Sequence, residues 1–341
     1  MKRTLTVMAL ATTATLGLAG GASAQGKMTM YCGVQEEWCQ LMVNEFKAKT
    51  GIDVAMTRKS SGEIFAQIKA EASNPKGDIW WGGTGDPHLQ AAEENLTMAY
   101  NSPMMKELHP WSVSQHKTSG GKTVGIYLGA LGYGYNSETL KKKGIAAPKC
   151  WADLAKPEYK GEVQVANPHA SGTAYTFVAT LVQLWGEDKA FDFLKKMNEN
   201  VNQYTKSGAA PAQATGRGET LIGISFLHDV VTPATKGLPV VSVAPCEGTG
   251  FEIGSMSIID GARNVEQAKK FYDWALSADA QALGAKAASF QNPSNKAAPL
   301  PKEATKMEEI SLIDYDMKKY GSSAERTRLL SKWDAEIKAT K

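Results

Sequence analysis

Residues 28–87 read MTMYCGVQEEWCQLMVNEFKAKTGIDVAMTRKSSGEIFAQIKAEASNPKGDIWWGGTGDP, and this stretch decides the fold. It opens on a short apolar run at 28–32, of strand length. Across 36–50 Trp38, Leu41, Met42 and Phe46 recur on one helical face, and Gly51 is the expected stop. A second strand at 53–58 precedes a second helix at 62–73, and a third strand lies at 78–81. The turn Gly82-Gly83-Thr84-Gly85-Asp86 then leads into a helix opening at Pro87. Strands and helices in steady alternation predict an open, mostly parallel sheet with helices on both faces.

Downstream, 123–136 reads TVGIYLGALGYGYN, a strand punctuated by glycine. Repeated glycines weaken a strand and mark bends or close backbone approach, so this segment is expected to cross from one lobe to another. A second alternating set follows, with a strand at 162–166, helices at 173–185 and 188–197, and a strand at 221–226. The strand at 251–259 is the expected return crossover, 265–277 an amphipathic helix, and 315–339 a helical tail. The expected division is a removable leader at 1–24, a first lobe at 25–124 and a second at 125–250. Residues 251–305 return to the first lobe, and a tail at 306–341 packs on the second.

The leader is legible from its chemistry. Lys2 and Arg3 precede an apolar run from Leu5 to Leu18, and Ala22-Ser23-Ala24 has the small-x-small form of a cleavage site. The apolar run is too short to span a bilayer well, so an exported chain beginning near Gln25 is expected rather than an anchored one. No cysteine follows the site to take a lipid. With 43% hydrophobic and 21% charged residues over 341 positions, the remainder has a globular composition with room for two domains. Loss of Lys2 and Arg3 leaves a net charge of about +1, and no basic stripe interleaved with aromatics suits nucleic acid.

Four cysteines, Cys32, Cys39, Cys150 and Cys246, form a disulfide framework in an exported chain, with three connectivities open. Cys32 at a strand end and Cys39 in the next helix are close enough to bridge locally. Elimination then pairs Cys150 with Cys246. No C-x-x-C pair offers a structural zinc site.

Three places share one design. Ser60-Ser61-Gly62, Gly82-Gly83-Thr84 and Ser171-Gly172-Thr173 each open a helix with small or hydroxyl residues. Ordinary N-capping accounts for any one of them. Three together, on two lobes and at the carboxyl ends of strands, point instead to an anion held by helix N-termini. His228-Asp229 ends a buried apolar strand, and Glu252 follows Gly248-Thr249-Gly250. His228 and Asp229 both reach a cleft only if the strand stops there; otherwise they read as a surface histidine beside a salt-bridging carboxylate. Two carboxylates would repel bare phosphate or sulfate but accept hydroxyl protons. A ligand with an anionic end and a hydroxyl-rich end is a sugar phosphate. A hydrolase reading of His228 with Asp229 or Glu252 lacks a nucleophile motif such as G-x-S-x-G.

Five segments in order, SSGEI at 60–64, DIWWGGT at 78–84, GALGYGYN at 129–136, WADL at 151–154 and ASGTAY at 170–175, carry a family resemblance. Together they resemble the periplasmic substrate-binding proteins of ABC importers, over essentially the whole mature chain. The set is usually labelled iron(III)-binding. The resemblance implies a type II periplasmic-binding-protein fold, two α/β lobes joined by hinge crossovers around a ligand cleft. It implies no catalysis and no cofactor, a monomer in the periplasm, and delivery to membrane permease subunits. Ferric-binding members place adjacent tyrosines just after the strand that here ends near Leu227, as hard Fe(III) requires. This chain has His228-Asp229 there and no Tyr-Tyr pair, so iron is a distant expectation. The chain is instead similar to the hexose-phosphate-binding AfuA-type subgroup. That resemblance implies that Ser60, Thr84, Ser171, Gly172 and Thr173 hold phosphate, and that His228, Asp229 and Glu252 hold sugar hydroxyls. Ser61, Gly83 and Lys206 join the set by proximity to these motifs. Another phosphorus-containing anion, such as an aminophosphonate or a phosphodiester, is the alternative ligand.

Overall fold

The structure is a computed structural model that describes residues 26–340. The expected leader at 1–24 lies outside the described residues.

Strand β1 (Lys27–Cys32), helix α1 (Glu36–Thr50), β2 (Asp53–Arg58), α2 (Ser61–Ala70), β3 (Ile79–Trp81) and α3 (Gly85–Glu93) realise the opening alternation. Gly51 stops α1 with a φ of 71°, a left-handed geometry that costs glycine nothing. β1 runs parallel to both β2 and β3. After the short β4 (Thr97–Met98) and α4 (Pro110–Thr118) comes β5 (Val124–Asn136), the longest strand. Its first half pairs with the later β10 (Phe251–Ile259), and its second half, from Leu131, pairs with β8 (Ile222–Phe226). One strand therefore belongs to two sheets, which is how the glycine-punctuated segment crosses.

The second sheet adds β6 (Val163–Ala166), β7 (Val201–Thr205) and β9 (Val240–Val243). Its strand order continues β5-β8-β6-β7, with β9 on β5. Around it lie α5 (Ser137–Lys143), α6 (Gly172–Trp185), α7 (Glu187–Asn198), α8 (Ala210–Arg217) and α9 (Leu227–Thr235). The chain returns at Gly250, whose carbonyl accepts from the Leu131 amide. It then runs as β10 antiparallel to β3 and β5. Because β10 enters from the opposite lobe, the first sheet is mixed and not mostly parallel. Helix α10 (Val265–Ala275) and the short β11 (Asn292–Pro293) complete that lobe. A third crossing is marked by Leu312, which bridges to Thr249.

Each lobe buries its own core. In the first, Trp38 meets Trp81 edge-on at 5.0 Å and Phe46 meets Phe271 at 5.1 Å. In the second, Trp151, Phe177 and Phe191 pack with Tyr133 and Tyr175. Edge-to-face pairs of this kind add to the area burial that holds each lobe. The structure joins Cys32 to Cys39 and Cys150 to Cys246. The second bridge spans 96 positions, and closing so long a loop is worth about 4–5 kcal/mol in the chain-entropy picture.

The tail is not one continuous helix. A short turn of helix at Met317–Tyr320 stops at Gly321, and a C-terminal helix, Ser323–Glu336, starts afresh under a Ser322 cap. The Ser322 hydroxyl oxygen accepts from the Glu325 amide, a local bond that favours a new N-terminus over continuation. Tyr315, Tyr320, Leu329, Leu330, Trp333 and Ile337 all enter the second core.

Candidate functional site

The lobes are shut in this structure. Across the divide Ser60 Oγ donates to the Lys206 carbonyl (2.9 Å), Arg58 Nη2 to Ser207 Oγ (3.1 Å), and the Gly62 amide to the Ala170 carbonyl (3.0 Å). Gln35 Nε2 donates to Asp229 Oδ1 over the same gap. Between the lobes remains a cleft with about 410 Å³ of unfilled space. Its walls include Ser60, Ser61, Gly83, Thr84, Ser171, Gly172, Thr173, His228, Asp229 and Glu252. Residues from five separate segments thus converge because each sits near the end of a strand or the start of a helix.

One cluster in the cleft is made of helix starts. Ser60, Thr84 and Ser171 are the N-caps of α2, α3 and α6, so the N-termini of three helices converge on the cleft. The Thr84 amide donates to Ser61 Oγ (3.2 Å), and Thr84 Oγ1 is buried with no hydrogen bond of good geometry. Gly83 has a φ of 90° and lies so close to Ser61 Oγ that a side chain would strike it. Gly172 is tighter still, since any Cβ there would run into the Thr84 hydroxyl of the facing lobe. Only glycine lets these two turns meet.

The other cluster is acidic and buried. β8 ends at Phe226, so α9 begins at once and both His228 and Asp229 turn into the cleft. His228 Nε2 lies 3.5 Å from Glu252 Oε1 and 3.8 Å from Asp229 Oδ1, while its Nδ1 has no partner. The ring stacks on Phe226 at 5.5 Å. Burial pushes the His228 pKa down to about 3, so the imidazole is neutral. Burial pushes Asp229 up to about 7, opposed by Ser225, Arg58 and Gln35. Glu252 is raised well above the usual carboxylate range by burial first and then by the charges of Asp229 and Asp86. Tyr127 joins the two clusters, with its hydroxyl accepting the Gly83 amide (3.1 Å) and its ring against His228 at 6.2 Å.

Chemically, this is a place to hold a ligand. Ser225, hydrogen-bonded to the Gly208 carbonyl (2.7 Å) and to Asp229 Oδ2 (3.2 Å), is fully buried and absent from the walls of the cleft, so its hydroxyl does not face a bound molecule. Among the described residues, the one cluster with metal-ligating geometry is Cys150, Cys246 and Glu247. Its two sulfurs are committed to a disulfide.

Lys206 stands apart from the other expected residues. Its side chain is exposed and absent from the walls; only its carbonyl takes part, through Ser60. The next residues, Ser207 and Gly208, line the cleft instead, just ahead of α8. They repeat the Ser-Gly signature of the other helix starts, a signal present in the sequence directly after Lys206. Arg58, Gln35, Tyr127 and Gln291 also line the cleft, and Arg58 is the one cationic side chain there among the described residues. Arg58 and Gln35 follow from the rule that ligands gather at the carboxyl ends of parallel strands, here β2 and β1. Gln291 lies in no motif.

Known proteins share this architecture. The profile of the bacterial extracellular solute-binding protein family matches residues 78–318. An uncharacterised protein of Haemophilus influenzae is 44% identical over 342 residues, covering 100% of this chain and 99% of its own. The periplasmic binding protein AfuA from Actinobacillus pleuropneumoniae, solved with exogenous fructose-6-phosphate bound, superposes with a TM-score of 0.89 at 45% identity. That match covers 92% of this chain and 99% of AfuA. The periplasmic binding protein P5PA gives a TM-score of 0.89 at 43% identity, covering 92% of this chain and 100% of its own. The chain belongs to the bacterial extracellular solute-binding proteins, built on the type II periplasmic-binding-protein fold to bind a transported substrate and not to catalyse a reaction.

Proposed function

We propose that this chain is the periplasmic solute-binding component of an ABC importer. It captures a hexose phosphate, such as glucose 6-phosphate, and presents it to membrane permease subunits. The observation that carries this reading is the pairing of two unlike clusters in one shut cleft. Helix starts from both lobes offer N–H and hydroxyl donors to a phosphate. Glu252 and Asp229, buried beside a neutral imidazole, offer acceptors to sugar hydroxyls. In this reading Ser60, Ser61, Gly83, Thr84, Ser171, Gly172 and Thr173 hold phosphate, with Ser207 in the place expected of Lys206. His228, Asp229 and Glu252 hold the sugar. The moving parts are 25–124 with 251–305 against 125–250 with the tail 306–341. The 45% identity to AfuA, solved with a hexose phosphate bound, supports the same ligand class.

Closure is the functional step, because a ligand touching both lobes favours the shut state over the open one. A handful of charge-assisted hydrogen bonds gives micromolar binding, about −8 kcal/mol. The two carboxylates would also suit the ammonium of an aminophosphonate, which makes that class the competing ligand. A thermal-shift screen over glucose 6-phosphate, glucose, inorganic phosphate, an aminophosphonate and ferric citrate tests the proposal. Glucose 6-phosphate is expected to raise the melting temperature most. A larger shift with the aminophosphonate or with inorganic phosphate overturns the sugar-phosphate assignment.

A further inference from the structure

Arg326 sits on the C-terminal helix, outside the cleft, and is buried at 6% exposure. Its guanidinium donates to Asp86 Oδ2 (3.1 Å) in the first lobe and to the Pro168 (3.1 Å) and His169 (3.4 Å) carbonyls in the second. The same group stacks 4.5 Å over the Tyr175 ring. These contacts lie directly behind the two turns that meet at the anion end. Asp86 is two residues beyond Thr84, in the first turn of α3. Pro168 and His169 lead into Ser171, and Ala170 between them takes the Gly62 amide.

The helix that carries Arg326 is fixed to the second lobe. Leu329, Leu330 and Trp333 are in that lobe's core, and Arg328 and Lys332 pair with Glu187 on α7. Its first turn nevertheless docks on α3 of the first lobe. The Ser323 amide donates to Glu93 Oε2 (2.8 Å) and Ser323 Oγ to Glu94 Oε1 (3.0 Å). Parting the lobes must therefore pull Arg326 away from Asp86. A carboxylate left bare in the first turn of α3 puts negative charge behind an N-terminus that is offered to an anion. Paired with Arg326, that charge is cancelled.

We propose that Arg326 is a positioning residue that latches the shut lobes: by bridging Asp86 to the Pro168–His169 loop, it completes the anion-binding end of the cleft only on closure. This rests on the reading that the helix starts hold an anion, but the latch itself exists without ligand. Arg326 never touches ligand, so its effect falls on how long the cleft stays shut. Deleting one member of a buried ion pair also leaves the other uncompensated, and that partner's removal should then help.

The test uses Arg326→Gln, Asp86→Asn and the double variant of the full chain. Arg326→Gln is expected to weaken glucose 6-phosphate binding by about 10- to 100-fold. The loss should appear as faster dissociation in stopped-flow, with association nearly unchanged. Adding Asp86→Asn should recover part of the loss, which simple destabilisation of the helix would not do. Hydrogen exchange on ligand-free protein reads the latch separately. In Arg326→Gln, amides at 85–90 and 168–173 should exchange faster while those at 329–333 stay protected. If wild type ignores glucose 6-phosphate but this exchange pattern appears, the ligand assignment fails and the latch stands. Unchanged exchange at both segments, or a double variant no better than Arg326→Gln in a binding-competent protein, overturns the latch.

Discussion

Truncating Asp229 to alanine separates the two ends of the site. In the shut structure this carboxylate is 5% exposed, accepts from Gln35 and Ser225, and lies within the field of Arg58. A sugar hydroxyl bound to it is one partner of a desolvated, charged hydrogen bond. Removing the other partner costs about 2–5 kcal/mol, or roughly 30- to several-thousand-fold in Kd for glucose 6-phosphate. Inorganic phosphate should respond differently. It fills the helix starts without touching Asp229, so the same change removes a like charge and leaves its binding unchanged or slightly better. Calorimetry near pH 8, above the raised Asp229 pKa of about 7, keeps the carboxylate ionised and the contrast largest. Equal weakening of both ligands would mean that Asp229 is a scaffold residue, and the two-ended reasoning would be refuted.

Gly172→Ala should weaken hexose phosphate binding by about 10- to 100-fold, because its methyl strikes Thr84 wherever the lobes meet; calorimetry reads the loss, and an unchanged affinity would refute the close approach. Ligand-free stability should depend on pH through Asp229, whose pKa rises from 3.8 to about 7 on burial. A raised folded pKa makes the contribution full at low pH and lost as pH climbs through the folded value. The melting advantage of Asp229→Asn over wild type should therefore widen between about pH 4 and 7, by at most about 4 kcal/mol, and then level off; a gap that narrows would contradict the burial argument. With ferric citrate the protein should show no visible phenolate-to-iron band, since Tyr127 is the one tyrosine among the described residues lining the cleft and its hydroxyl accepts from Gly83; a coloured stoichiometric complex would reverse this.

The parts of the fold that were legible are those written in local pattern. The alternation through Asp86 and the glycine-rich crossover strand depend on periodicity and turn chemistry, which act over a few residues. The three helix starts were legible for the same reason. Lys206 joined the set by proximity to the motifs; in the structure Ser207 and Gly208 line the cleft and the Lys206 side chain is exposed. The tail read as one helix because Gly321-Ser322 interrupts an otherwise helical composition, and the Ser322 cap decides the matter. Arg326 carried no signal at all. Its partner Asp86 is 240 positions away, and only tertiary structure brings the two together.

If the cleft holds a sugar phosphate, the same long-range geometry penalises closure on either half of that ligand alone. In the shut lobes Asp229 and Glu252 are buried, and burial first, with the charges of Asp229 and Asp86 added on Glu252, drives both toward protonation. The Thr84 hydroxyl, buried and without a hydrogen bond of good geometry, lies beside the starts of α2, α3 and α6. On the proposed reading, free hexose would satisfy the acids but not the helix starts, and inorganic phosphate would do the reverse. Each half-ligand leaves buried polar groups unmet at about 1–3 kcal/mol apiece. Arg58 to Ser207, Ser60 to Lys206 and Arg326 to Asp86 join the shut lobes with no ligand atom among them. Such contacts set the affinity scale, and discrimination comes from what remains unsatisfied inside. On the proposed reading, such a cleft would select for a molecule with both ends because it would penalise every molecule with one.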